Sequence, residues 1–271
     1  MTLIQAIIIA IVEGLTEYIP ISSTAHMIFT STIFGIQEDE FVKMFQVSIQ
    51  FGAILAVVAL YWRKFFNFKN IGFYVKLACA VIPALVLGYL FDDAIESVLG
   101  NPLPIAIVMV LGGVVLLFID KVFSNPEIHD EKEISIKRAV TIGFWQCLAM
   151  MPGTSRSAAS IIGGMQQKLS RGAAAEFSFF LAVPTMLAVT VYSIFLKKWD
   201  VAGVEKKGFE MITETSQNMQ MFVIGNVIAF VVALIAIKFF ISFLKKYGFK
   251  MWGYYRIVVG CIIIAMLLWK P

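Results

Sequence analysis

Charge is scarce in this chain. Asp, Glu, Lys and Arg make up 15% of 271 residues, against 59% hydrophobic residues, whereas a water-soluble domain carries about 25% charged residues. So little polar surface cannot cover a soluble sphere, and the composition excludes a disordered chain, a fibrous repeat and a nucleic-acid-binding domain. The net charge of +4 reads as loop topology and not as a basic patch. Cysteine is nearly absent: Cys79, Cys147 and Cys261 each lie inside an apolar run. An odd number without paired spacing supports neither a disulfide framework nor a zinc site, and each is expected to serve as a small buried packing group. No Lys or Arg precedes the apolar run that opens at Leu3, and Glu13 and Glu17 interrupt it. The segment is therefore expected to belong to the working protein and not to a cleaved leader. What is abundant is long apolar sequence, which makes a helical integral membrane protein the default.

Six runs are long enough to span a bilayer, at about 44–62, 71–91, 103–120, 174–196, 219–244 and 251–269, since about 20 residues cross a ~30 Å hydrocarbon core. Two further apolar stretches, 3–18 and 139–151, are shorter, and each runs into a proline followed by hydroxyl residues. The breaks read Tyr18-Ile19-Pro20-Ile21-Ser22-Ser23-Thr24 and Met150-Met151-Pro152-Gly153-Thr154-Ser155-Arg156. Both predict helix–break–helix hairpins that enter the bilayer and turn back. Aligning Pro20 with Pro152 pairs Ser22 with Thr154 and Ser23 with Ser155. The expected fold is all-α: one membrane domain, residues 1–271, with six transmembrane helices and two re-entrant hairpins. Its two halves, about 1–120 and 139–269, are joined by a cytoplasmic loop at 121–138. Three spans per half force the second half to be inverted, and facing broken helices in inverted repeats build sites at mid-membrane.

Basic residues set the orientation. Arg63, Lys64, Lys69, Lys121, Lys132, Lys137, Arg138, Lys245, Lys246 and Lys250 fall on one side. The other side has Lys43, an acidic 92–102 loop with Asp92, Asp93 and Glu96, then Lys197, Lys198, Lys206, Lys207 and Lys270. The richer set is placed in the cytoplasm. Both termini and the 197–218 loop are then expected outside, with the first hairpin entering from the outer face.

A charged side chain at membrane depth costs about 2.5–3.5 kcal/mol on insertion scales, so each one is a functional candidate. Glu13 and Glu17, spaced i, i+4, stack on one helix face. Two carboxylates in low dielectric repel unless a cation lies between them, and such a pair suits a hard divalent metal, Mg²⁺ or Ca²⁺. The plainer reading points both at headgroup water. At the breaks, Pro20 and Pro152 suit the first position of a new helix, and Ser22, Ser23, Thr24, Thr154 and Ser155 can cap it. Two such helix starts would cradle a phosphate-sized anion, and the Arg156 fork matches phosphate oxygens. Ordinary capping, with Arg156 snorkelling to the interface, is the alternative. His26 follows Ser23 by three residues, so the two can share a face as nucleophile and base, or His26 can serve an attacking water. His129, in a charged loop, is expected to be solvated. Gly112-Gly113 and Gly163-Gly164 read as close-packing positions, and Arg256, deep in the last run, has no assigned role.

Metal, arginine and backbone donors together are what phosphoryl transfer requires. At this point the residues resemble a known family. Glu13-Gly14-Leu15-Thr16-Glu17-Tyr18-Ile19-Pro20-Ile21-Ser22-Ser23-Thr24-Ala25-His26 resembles the first signature of the bacterial undecaprenyl-diphosphate phosphatases, also called bacitracin-resistance phosphatases. Pro152-Gly153-Thr154-Ser155-Arg156-Ser157 resembles the second, with Ala158 where Gly is common and Ser160 where Thr is common. The stretches 50–57 and 175–185 are similar as well and add Gln50 and Glu176 as secondary candidates. The resemblance implies hydrolysis of the C55 lipid diphosphate to monophosphate and phosphate at the outer face of the inner membrane, recycling the carrier for wall polymers. It implies an acidic pair in Glu13 and Glu17, Ser23 and His26 as nucleophile and base candidates, and phosphate binding by Ser155 and Arg156, with Ser22, Thr24, Thr154 and Ser160 beside them. The expected partners are the lipid substrate and membrane lipid, for which bacitracin competes by taking the substrate and not the protein. A homodimer is compatible with the sequence, and nucleic acid is not a partner. The rival reading is a polyprenyl-phosphate transporter or flippase, since inverted repeats with broken helices are also transporter architecture. A two-histidine acid phosphatase is disfavoured, because His129 lies on the side opposite the first hairpin. A cysteine phosphatase is disfavoured by the nine residues separating Cys147 from Arg156.

Overall fold

The computed structural model describes residues 1–99 and 101–269, with the side chains of all but Asp93, Glu96, Ser97 and Leu99. The expected positions of the Asp93, Glu96 and Lys270 charges therefore lie outside what is described. Helices α1 (Leu3–Thr16) and α2 (Ser23–Ile33) form the first helix–break–helix unit. The next span is α3 (Glu40–Ser48) followed directly by α4 (Gln50–Leu60), and α5 (Trp62–Phe65) ends it. Then come α6 (Ile71–Leu90), α7 (Asp92–Leu99) and α8 (Pro102–Val122). The second unit consists of α9 (Ile136–Gln146) and α10 (Arg156–Gln166). It is followed by α11 (Arg171–Val191), extended by a wider turn to Leu196. A hairpin of β1 (Lys198–Val201) and β2 (Val204–Lys207) leads through α12 (Gly208–Thr213) to α13 (Ser216–Tyr247) and α14 (Lys250–Leu268).

Six helical segments are long and apolar enough to cross a membrane: Glu40–Leu60, Ile71–Leu90, Pro102–Val122, Arg171–Leu196, Ser216–Tyr247 and Lys250–Leu268. They coincide with the six runs read from hydropathy, and the chain is a multi-pass membrane protein. The packing pairs the elements across the chain. The first unit packs through α1 on α13, and the second through α9 on α6. The helix after the first unit, α4, packs on α13, and the helix after the second, α11, packs on α6. In addition α4 meets α11, and α8 meets α14. Small residues permit these approaches. A Cβ added at Gly113 would lie 2.9 Å from the Gly253 carbonyl oxygen, and one at Gly253 would lie 2.8 Å from that of Gly113.

Three expectations are corrected. The 92–102 segment is not a loop throughout, because it carries α7, whose N-terminal aspartates suit a helix start. The 197–218 segment is not purely connective, and the fold is not strictly all-α. Ala202 and Gly203, at φ 54° and 84°, form the tight turn that closes β1 on β2, and Trp199 is buried beneath with its indole N–H donating to the Ser193 carbonyl at 3.0 Å. No cysteine is a buried packing group: Cys79 and Cys147 are half-buried and Cys261 is exposed. On a lipid-facing helix, exposure is compatible with an apolar thiol, which is why hydropathy alone did not separate the two cases.

Candidate active site at two helix breaks

Proline ends α1. Pro20 has no N–H to donate, and it biases Ile19 away from the helical region, so the last bond of the helix is Glu17 N–H to the Glu13 carbonyl at 3.0 Å. The chain re-enters a helix through Ser22 at φ 70°, ψ 90°. The second break does the same through Ser155 at φ 76°, ψ 116°. Positive φ is unusual for serine and marks a conformation held by its surroundings. Each serine caps its helix, Ser22 Oγ accepting from Ala25 N at 3.4 Å and Ser155 Oγ from Ala158 N at 3.2 Å.

These caps correct the alignment read from the prolines. Ser22 corresponds to Ser155 and Ser23 to Arg156, one position later than expected in the second break. The additional residue there is Gly153, at φ +94°, where a Cβ would run into the Ile105 carbonyl. Neither proline starts the new helix, since α2 begins at Ser23 and α10 at Arg156. Thr24 and Thr154 are not caps.

The two breaks meet. Arg156 donates from Nη2 to Glu17 Oε1 at 3.1 Å and from Nε to the same oxygen at 3.3 Å. Glu17 Oε2 accepts from Ser23 Oγ at 2.6 Å. The pair is nearly sealed, with side chains 10% and 3% exposed. Arg156 Nη1 also donates to the Ser178 carbonyl at 2.9 Å, and Ser178 Oγ lies 2.7 Å from Ser160 Oγ. Ser157 Oγ donates to the Tyr18 carbonyl at 2.9 Å, a second strut between the breaks. One turn before Glu17, Glu13 has zero exposure, and both its carboxyl oxygens lack a hydrogen-bond partner among the described residues.

Ser23 and His26 do not form the expected pair. The Ser23 hydroxyl is committed to Glu17. The imidazole turns back on the cap: Nδ1 donates to the Ser22 carbonyl at 2.8 Å, so a neutral ring accepts at Nε2 from the Tyr255 hydroxyl at 2.9 Å. Neither Thr24 nor the buried Gln50 bonds to the Glu17–Arg156 pair among the described residues. Glu176 lies elsewhere. Its partner is Lys64, at 3.8 Å, which also holds Glu131 at 2.9 Å. It lines a cavity of about 480 Å³ together with Asp120, His129, Arg171 and Lys245. His129 is exposed, as expected.

Four contributors were given no role at the site from the sequence: Ser157, Ser178, Tyr255 and Arg256. Serines inside apolar helices carry no distinguishing pattern. Arg256 did carry a signal, its charge in the middle of a span. It is fully buried and donates to four carbonyls: Met109 at 3.0 Å, Pro20 at 3.1 Å, Thr154 at 2.9 Å and Gly153 at 2.7 Å.

A carboxylate, a hydroxyl and a guanidinium stand together at two capped helix starts, so the chain is a multi-pass membrane protein with a buried, charged polar cluster among its helices. Comparison with known proteins gives the family. Residues 6–262 match the model of bacitracin resistance protein BacA. The chain is 50% identical over 267 residues to an undecaprenyl-diphosphatase of Flavobacterium johnsoniae, covering 98% of this chain and 96% of that one. It is 48% identical over 285 residues to that of Porphyromonas gingivalis, covering 99% and 98%. It is 40% identical over 270 residues to that of Aquifex aeolicus, covering 99% and 100%. The chain belongs to the bacitracin resistance protein BacA family.

Proposed function

We propose that this membrane enzyme hydrolyses undecaprenyl diphosphate to undecaprenyl phosphate and phosphate, returning the lipid carrier to cell-wall polymer synthesis and so conferring bacitracin resistance. The observation that carries the reading is the contact of Glu17 with both Ser23 and Arg156, groups from two breaks 139 residues apart in sequence. In this reading Arg156 and the N–H groups at the starts of α2 and α10 receive the terminal phosphate, whose oxygens gather charge in the transition state. Glu17 accepts the proton of the attacking oxygen. With Ser23 as nucleophile, Oγ bonds to the terminal phosphorus, the bridging P–O bond breaks, undecaprenyl phosphate leaves, and water then cleaves the phosphoserine. With water as nucleophile, its oxygen bonds to the terminal phosphorus while a water proton goes to Glu17, the bridging P–O bond breaks, and phosphate and undecaprenyl phosphate form in one step. Ser23→Ala separates the two. Loss on the order of 10⁶ in kcat, as for removal of a covalent nucleophile, is expected for the serine route, and near-native phosphate release assigns the attack to water.

For a divalent cation the protein offers two carboxylates, Glu13 and Glu17, with no third His, Cys, Asp or Glu beside them among the described residues. Glu13 is buried with two unpartnered oxygens beside Glu17, an arrangement that is costly without a counter-charge, and hard oxygen ligands suit Mg²⁺ or Ca²⁺. Glu13 and Glu17 would hold it, and it would supply charge neutralisation for the diphosphate. Phosphate release from undecaprenyl and farnesyl diphosphate by detergent-purified protein, with and without chelator, tests both parts. The expected result is release that falls on chelation and returns with Mg²⁺ or Ca²⁺. Chelator-insensitive turnover would remove the metal, and no release at all would favour a carrier that moves polyprenyl phosphate without cutting it.

The paired packing of α1 on α13 and α9 on α6, together with the matched caps Ser22 and Ser155, supports two re-entrant hairpins in inverted repeats, about 1–120 and 139–269. The distribution of Lys and Arg favours the bacterial inner membrane with both termini and the site mouth on the extracytoplasmic side and the 121–138 loop in the cytoplasm. A homodimer in the membrane remains part of this proposal, and bacitracin acts by holding the lipid.

A further inference from the structure

The last helix is nearly all surface toward lipid: of α14, only Gly253, Arg256 and Gly260 are buried. These three residues share one face, spaced i, i+3 and i+7. Glycine at either end draws the helix onto α8, where Gly112 and Gly113 leave no side chain in the way. Through that gap the Arg256 side chain passes beneath α8 toward the breaks, and a Cβ at Gly112 would overlap its Nη2 atom. Fully buried guanidinium groups normally pair with carboxylates. This one has no salt-bridge partner among the described residues, and its N–H groups are spent on peptide carbonyls instead.

The identity of those carbonyls matters. A single atom, Nη1, donates to Pro20 of the first break at 3.1 Å and to Thr154 of the second at 2.9 Å, while Nη2 takes Gly153 at 2.7 Å. These carbonyls precede the two positive-φ serines by one or two residues, within segments where the helical hydrogen-bond pattern is interrupted. One cation therefore satisfies the orphaned carbonyls of both breaks at once. We propose that Arg256 is a positioning residue for the phosphatase reaction, clamping the two breaks together from behind so that Glu17 and Ser23 of one stand against Arg156 of the other. It does not touch the reacting atoms, and it acts through the backbone that carries them. A lysine keeps the charge but not the planar fork needed to hold carbonyls from two breaks.

The inference rests on the phosphatase reading for its assay. Arg256→Met, Arg256→Lys and Gly112→Ala are purified as full chains in detergent beside wild type and Glu17→Gln, and kcat, KM for undecaprenyl diphosphate and Tm are measured. A displacement near 1 Å at a reacting centre costs about a hundredfold. The expected result is a kcat loss of that order for Arg256→Met in folded protein, a smaller loss for Arg256→Lys, and an intermediate loss for Gly112→Ala, where the guanidinium is kept but pushed aside. KM should stay within about threefold throughout, the signature of geometry lost after binding. A folded Arg256→Met or Gly112→Ala with kcat within about threefold of wild type overturns the proposal, as does a rise in KM at unchanged kcat. Failure of all three variants to fold overturns it too, because Arg256 would then determine the fold and not the site. If Glu17→Gln is itself active, the active-site reading fails and not merely the clamp.

Discussion

Glu17→Gln is expected to lower kcat by about a thousandfold, within the range for loss of a positioned proton acceptor. The amide oxygen can still accept from the Ser23 hydroxyl now held at 2.6 Å, but it cannot take the proton away. The substitution also strips Arg156 of its only carboxylate partner among the described residues. A buried cation left alone is destabilising by about 3–5 kcal/mol when nothing replaces its partner, so Tm should fall in the absence of substrate. The diphosphate supplies the missing negative charge, so added lipid should restore part of that loss, and KM should not rise. Initial rates of phosphate release and melting with and without substrate analogue check both statements. Turnover within about threefold of wild type would take Glu17 out of the chemistry.

Arg156→Ala is expected to cost about 2–5 kcal/mol in transition-state binding, which corresponds to roughly 30- to 4,000-fold in kcat/KM at 1.4 kcal/mol per factor of ten. Two contributions are lost together: the charge aimed at the phosphate and the pin that holds Glu17 from two guanidinium nitrogens. Arg156→Lys returns the charge without the fork, so its shortfall measures the pin. The double variant with Glu17→Gln should cost less than the sum of the singles, since each removes the other's partner. A loss below about tenfold for Arg156→Ala would move the side chain to the rim of the site and leave phosphate binding to the helix starts.

The spans were legible because hydropathy reports burial in lipid directly, and all six runs reappear within a few residues of their expected ends. The breaks were legible because Pro20 and Pro152 are each followed by a run of hydroxyl residues; proline alone would not have marked them, since Pro83 and Pro184 lie inside the continuous helices α6 and α11. Register within the breaks was not. Proline spacing paired Ser22 with Thr154, whereas backbone conformation pairs it with Ser155. The added Gly153 is a left-handed residue that propensity reasoning cannot place without the neighbouring Ile105 carbonyl. Ser23 and His26 were close in sequence and shared a face, but a nearer acceptor in Glu17 took the hydroxyl, and Tyr255, 229 residues away, took the ring. Contacts of that separation leave no local trace. Arg256 did leave one, an expensive charge in a lipid-facing helix, and what was missing was that the Gly112-Gly113 gap in α8 lies over it and lets it reach inward.

The one-residue offset between the breaks has a chemical meaning. The residue directly after each left-handed serine faces the shared interior, and there the first break presents an alcohol, Ser23, while the second presents a guanidinium, Arg156. In the proposed reaction, had both breaks kept the same group, the centre would hold two hydroxyls with no cation to attract a phosphate, or two cations with no hydroxyl beside Glu17. The difference at this single matched position puts a hydroxyl on one side of Glu17 and a fixed positive charge on the other.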